Sequence, residues 1–301
     1  MLPSLSKPTV GLLASLAAAI LWAVSGVCGK VLLGGALSPS RLVFYRCALG
    51  TLLLFVILLL QNPLRLELKR RDLALFVVMG TLGLALTQFT YYSAIQVLSV
   101  GLAILLQYLA PLWVLLFERL YLKLPLTRSR LVALFLALAG CGLVSLETIG
   151  SAHLSKYGVA LGVAAGVCFA AYSLMAQHAS KSYAELTVLF YSLLFAALFW
   201  AIVGPGSWPP LSQVETFKYW ILVYVAAFGT IVPYLLFIRA LKYLTASQVG
   251  IVSTAEPVAA AVIAWVFLGE RLTPLQIAGG LCVLGAIVLL HSRSNERGKE
   301  A

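Results

Sequence analysis

Residues 240–257, "ALKYLTASQVGIVSTAEP", decide how this chain is read, because residues 94–111, "AIQVLSVGLAILLQYLAP", carry the same pattern 146 positions earlier. Pro111 falls on Pro257, Leu98 on Leu244, Thr127 on Thr273 and Gly83 on Gly229 at that single offset. "LVFYR" (42–46) meets "VLFYS" (188–192) in the same register. Nearer the N-terminus, "GLLASLAAAILW" (11–22) meets "GVALGVAAGVCF" (158–169), one residue out of phase. Leu and Ala coincide by chance in any apolar chain. Two prolines and two Phe-Tyr pairs at constant spacing indicate a duplication, with halves 1–150 and 151–301.

The surroundings of the repeat are apolar throughout. Of the 301 residues 62% are hydrophobic and 10% charged, against about 25% charged in a soluble domain. The apolar runs are continuous, so the spanning element is a helix and not a barrel strand. At about 20 residues per crossing, segments 11–33, 38–60, 73–97, 100–121, 129–149, 156–179, 184–204, 217–241, 246–268 and 273–291 give ten spans. The run from Gly11 to Leu33 is too long for the apolar core of a cleaved signal and reads as the first span. The expected fold is therefore an all-α membrane protein, one integrated domain of ten transmembrane helices.

Ten crossings put both termini on one side. With that side inside, cytoplasmic segments hold fifteen of the 21 Lys and Arg residues and outer segments five, Arg46 lying within a span. The positive-inside rule then places both termini in the cytoplasm. The net charge of +11 reflects loops facing anionic lipid. Nucleic acid is excluded as a partner, because the aromatic residues lie inside the apolar runs and not among the basic clusters. The five cysteines all fall in apolar segments, with no Cys-x-x-Cys pair and no histidine at ligand spacing. Neither a metal nor a cofactor is expected.

A five-span half has an odd number of crossings, so the second half enters the membrane from the opposite face. Two inverted five-helix repeats around a central cavity follow, with the binding site near the midplane between them. Alternating access is a natural consequence of that symmetry, and transport of a small-molecule substrate the expected function.

Glu256 lies about 15 Å into the ninth span at 1.5 Å per residue, near the midplane. A charge there costs at least ~2.5 kcal/mol on insertion scales. Three roles are open to it: exchanging protons with a gradient, meeting a substrate ammonium, or bracing the backbone disturbed by Pro257. Pro111 and Pro257 are the candidate hinges. Arg46, whose repeat partner is Ser192, is open to clamping a substrate carboxylate with two hydrogen bonds, to snorkelling, or to pairing with Glu256 or a carbonyl. Further cavity candidates are aromatic and amide side chains within spans: Trp22, Tyr45, Gln88, Tyr91, Tyr92, Gln107, Tyr108, Tyr172, Tyr191 and Tyr234. Ser253 joins them as the repeat partner of Gln107, three residues before Glu256. Gly158, Gly162 and Gly166 are spaced for close helix packing and lack the strand and lysine of a phosphate loop. With one deep carboxylate recognised and no His or Asp inside a span, a membrane-embedded enzyme is disfavoured.

The second half, with Ala240-Leu241, Glu256-Pro257, Leu268-Gly269-Glu270, Gln276, Gly280 and Gly285, resembles the EamA-type repeat of the drug/metabolite transporter superfamily. The first half is a weaker copy with Trp22, Pro39, Arg46 and Pro111 in place, and departs from it at "LKLPL" (122–126). The resemblance spans residues 11–290 and implies ten helices in two inverted halves around a cavity. It also implies export of amino acids, aromatic ones in one branch, or related metabolites, with multidrug and sugar-nucleotide or phosphate exchange as the superfamily's alternatives. Short loops suggest a bacterial inner membrane. Protons are a candidate coupling partner, and a single chain contains both halves.

Overall fold

The computed structural model describes residues 6–33, 37–149, 155–204, 216–268 and 271–300. The junction of the halves at 150–151, His153 and the Gly269-Glu270 pair lie outside them. Ten helices among the described residues are long and apolar enough to cross a membrane. In chain order the spans are Lys7–Leu33, Pro39–Gln61, Arg70–Val97, Val100–Leu120 and Arg128–Leu146, then Lys156–Ala179, Glu185–Val203, Thr216–Leu241, Ala246–Phe267 and Pro274–Ser292. They will be called the first to tenth spans.

Helix packing follows the duplication. The first span lies along the eighth and ninth, as the sixth lies along the third and fourth. The second pairs with the seventh and the fifth with the tenth. Exchanging the halves swaps the first two sets of contacts and returns each of the last two pairs to itself, the property of a pseudo-two-fold axis. The glycine stripe of the sixth span makes its contact possible. A Cβ on Gly162 would stand 2.7 Å from Leu106, and one on Gly166 only 3.0 Å from the Leu106 carbonyl oxygen. Gly140 and Gly279 do the same for the fifth and tenth spans, since a Cβ on either would lie 2.6 Å from the other's carbonyl oxygen.

Backbone irregularities also recur at the offset of the repeat. The third span widens to π geometry over Met79–Ala85 and the eighth over Ala227–Ile231, around Gly83 and Gly229. The fourth span is interrupted between Gln107 and Ala110 and the ninth between Ser253 and Ala255. Both interruptions directly precede the prolines. Pro111 and Pro257 therefore sit in the first turn of a new helical segment, where a missing N–H leaves no bond unmade. Each interruption is a tightened turn, Tyr108 and Leu109 in the fourth span and Thr254 in the ninth. Each of these spans begins on a hydroxyl cap at equivalent places, Ser99 to the Leu102 amide and Thr245 to the Gln248 amide.

At "LKLPL" the first half does depart from the second. Lys123 has φ of 54°, left-handed backbone that favours glycine, and Gly269 stands at the matching position of the second half.

Candidate functional site

Proline chemistry prepares one end of the site. Pro233 has no N–H for the carbonyl four residues back, so the Gly229 oxygen is left without its helical partner. Arg46 of the second span supplies one, donating from Nη2 at 3.1 Å. The same guanidinium donates to Thr230 Oγ1 from Nε at 3.0 Å and Nη2 at 2.9 Å, and to the Tyr92 hydroxyl from Nη1 at 2.5 Å. Thr230 passes its own proton to the Val225 carbonyl at 2.8 Å, closing the π-widened turn. Arg46 is only 4% exposed, yet four of its five N–H groups are engaged. Three of those bonds reach the second half of the chain, so Arg46 ties the halves together beside the cavity.

The other end is built by the break in the ninth span. Glu256 lies in the first turn of the segment Ala255–Leu268, directly after the interruption of the ninth span. Its Oε2 accepts a hydrogen bond of 2.6 Å from the Tyr108 hydroxyl. Tyr108 itself occupies the equivalent break of the fourth span, so the two interruptions meet across the interface of the halves.

Arg46 and Glu256 both line a cavity of ≈ 60 Å³, measured as the space open to the centres of water molecules. Trp22, Arg46, Gln88, Tyr91 and Tyr92 line it, as do Gln107, Tyr108, Tyr234 and Glu256. Trp22 meets Tyr234 edge-on at 5.1 Å and Phe169 at 6.0 Å, closing an aromatic side. The Tyr91 hydroxyl and the Gln107 carbonyl oxygen are buried there without a hydrogen-bond partner from the protein. Polar atoms left so are costly unless a guest or water satisfies them.

Four expected residues are placed elsewhere. Tyr45 is buried against Phe44; as Arg46's immediate neighbour on a helix it cannot share the cavity face. Tyr172 is fully buried behind the wall, edge-on to Tyr234 at 5.5 Å. Tyr191 sits toward the end of the molecule that bears both termini, where its hydroxyl donates to the Leu66 carbonyl and its ring packs on Phe76. Ser253 donates to the Val249 carbonyl at 2.9 Å and is not among the residues that line the cavity. Nor does Arg46 pair with Glu256: it takes a carbonyl and two hydroxyls instead.

Ser25, Gly26, Thr87 and Phe169 also line the cavity and were not expected there. Ser25 and Gly26 follow Trp22 by three and four residues, and Phe169 is Trp22's repeat partner, so their helical spacing carried the signal. A second buried carboxylate, near the end of the fourth span, was not expected. Glu118 is 2% exposed and accepts from Ser247 Oγ at 2.8 Å and the Ser247 amide at 3.3 Å. It caps the start of the ninth span from the fourth, with Arg130 Nη1 at 3.7 Å. Nearby on the termini side, Tyr183 donates to Asp72 at 2.6 Å and Thr187 to the Arg65 carbonyl at 2.8 Å. These bonds join the halves at that end.

Residues 9–146 and 156–292 each match the model of the EamA-like transporter family. The chain is 32% identical over 249 residues to the threonine/homoserine exporter RhtA of Escherichia coli (strain K12), covering 81% of this chain and 77% of that one. It is 26% identical over 254 residues to the pseudopaline exporter CntI of Pseudomonas aeruginosa (strain UCBPP-PA14), covering 84% and 86%. A crystal structure superposes with a TM-score of 0.77 at 18% identity over 96% of this chain and 98% of its own, a likeness of fold.

Proposed function

The chain belongs to the EamA-like transporter family, and from that premise we propose that it exports small zwitterionic amino acids across a bacterial inner membrane by alternating access. The observation that carries this reading is the cavity between the halves, lined by both a guanidinium and a carboxylate. An α-amino acid bears the complementary pair of charges. Its ammonium would meet Glu256 and the unpartnered Gln107 oxygen; its carboxylate would meet Arg46. The relatives named above, a threonine/homoserine exporter among them, fit this class. The excess of basic residues on one side favours cytoplasmic termini.

Arg46 suggests how binding is linked to movement. One N–H is free in this arrangement, so a two-point clamp on a carboxylate requires it to leave Thr230 or Gly229. Substrate then competes with bonds that fasten the halves. A ligand shifts a conformational equilibrium only through such a difference between states. Glu256, at a buried helix start and held by Tyr108, is the group available to exchange a proton with a gradient.

The test is uptake of labelled threonine and homoserine into proteoliposomes, with and without an imposed pH gradient. Saturable uptake raised by the gradient is expected, with Glu256→Gln abolishing the enhancement alone. Uptake indifferent to the gradient and to the substitution would make Glu256 a brace and the protein a facilitator. No uptake of either amino acid would overturn the substrate class.

A further inference from the structure

Ten of the thirteen residues that line the cavity belong to the first half of the chain, so the cavity sits off the symmetry axis despite the symmetric helices. The asymmetry can be traced to the first and sixth spans. They align at an offset of 147, which pairs Trp22 with Phe169, Ser25 with Tyr172 and Gly26 with Ser173. Both Ser25 and Tyr172 press on the glycine of the facing π-widened turn. A Cβ on Gly229 would lie 2.4 Å from Ser25 Oγ, and one on Gly83 3.2 Å from the Tyr172 Cα and Cβ. One of these plugs is a hydroxymethyl group and the other a phenol. The next position follows the same trend: Ser173 fills its place and donates to the Phe169 carbonyl at 2.7 Å, whereas Gly26 contributes no side chain.

Gly26 differs from the glycines that make close helix contacts. Where Gly29, Gly158 or Gly162 would drive a Cβ into a neighbour at 2.6–2.7 Å, a Cβ on Gly26 meets only the Tyr91 hydroxyl, at 3.8 Å. Close helix packing therefore does not demand glycine at this position. Beside it lies the cavity, and the space a side chain would take is space left to the guest.

We infer that Gly26 sets how long a side chain fits within the small amino acids proposed above as substrates. The inference rests on the cavity being the amino-acid site proposed above. A carbon added at position 26 would stand beside the cavity, with only the Tyr91 hydroxyl within 4 Å of it, and would shorten the longest side chain that fits.

The experiment compares proteoliposome uptake of labelled alanine, homoserine and phenylalanine by the wild type, Gly26→Ala and Gly26→Val. Gly142→Ala serves as control, because a Cβ there meets nothing within 4 Å and the position is outside the cavity. The readout is the ratio of kcat/KM values between substrates, which does not depend on how much of a variant folds. The wild type is expected to prefer homoserine to phenylalanine. Gly26→Ala is expected to lower the homoserine-to-alanine ratio by about 10-fold, the lower end of what one methylene commands in an apolar pocket, and Gly26→Val to lower it further. Gly142→Ala should leave it unchanged. Ratios that ignore position 26 while the wild type transports would overturn the role of Gly26 and spare the proposed function. A wild type that takes phenylalanine over homoserine would overturn the size class, and one that transports none of the three would bring down the proposed function itself.

Discussion

Replacing Thr230 with valine keeps the shape of the side chain and removes the oxygen that accepts two N–H bonds from Arg46, at 2.9 and 3.0 Å. If a substrate carboxylate must draw Arg46 away from that oxygen, its loss should strengthen binding. Hydrogen bonds between helices in a membrane are worth about 0.6 kcal/mol on average and ~1.7 at most, while bonds to a charged partner reach about 1.5–3 kcal/mol. Two bonds sharing one acceptor reasonably amount to about 1–2 kcal/mol, or roughly a 5- to 30-fold lower Kd. A second consequence is independent of the ligand. Thr230 Oγ1 also donates to the Val225 carbonyl at 2.8 Å, and losing that bond together with the two from Arg46 should reduce stability by about 2–3 kcal/mol. Tighter binding by a less stable protein is an uncommon combination and hard to reach by accident. Scintillation-proximity binding of labelled homoserine gives Kd, and thermal unfolding in detergent gives the stability. A Kd that is unchanged or raised, with the stability loss present, would refute the competition and leave Arg46 a structural tie between the halves.

Three further outcomes are expected. In a double-mutant cycle of Glu118→Ala and Ser247→Ala, read by steric-trap unfolding in bicelles, the coupling should be about 1–2 kcal/mol, because a buried carboxylate accepts both Ser247 donors; additivity within the error would deny the interhelix cap. Gly140→Val should cost more than about 3 kcal/mol or prevent folding, since its side chain would enter the Gly279 backbone at 2.6 Å, whereas Gly142→Ala, read by the same thermal unfolding, should be nearly neutral. A green fluorescent protein fused after Ala301 should fluoresce in cells while an alkaline phosphatase fused there stays inactive; the reverse would place the C-terminus outside.

The features legible in the sequence were those fixed by chemistry at a single position or by spacing. Apolar runs long enough to cross a bilayer must be helices, because the lipid interior offers no partner for an open backbone, so all ten spans could be counted. The constant offset between Pro111 and Pro257 exposed the duplication, and an odd number of spans per half made it inverted. Glu256 and Arg46 stood out because a charge in such a run is expensive. Nine of the expected side chains do meet in the cavity. Glu118 escaped notice because it lies near a span's end, where a carboxylate reads as part of the boundary.

Where each side chain points was decided by tertiary structure. Ser253 was assigned to the face of Glu256 by helical spacing, yet its hydroxyl turns to the Val249 carbonyl of its own helix. Tyr45 has the composition of a cavity wall and the wrong angular position on the second span, and Tyr191 lies toward the termini end, bonded to the Leu66 carbonyl. Arg46 has three chemically reasonable partners in sequence; the choice of Gly229 and Thr230 required the eighth span to bring a carbonyl freed by Pro233 within 3.1 Å. Sequence fixes which groups need a partner, because desolvation is a property of the group. Which partner it finds depends on distances between helices far apart in the chain, and those are settled only when the two halves pack.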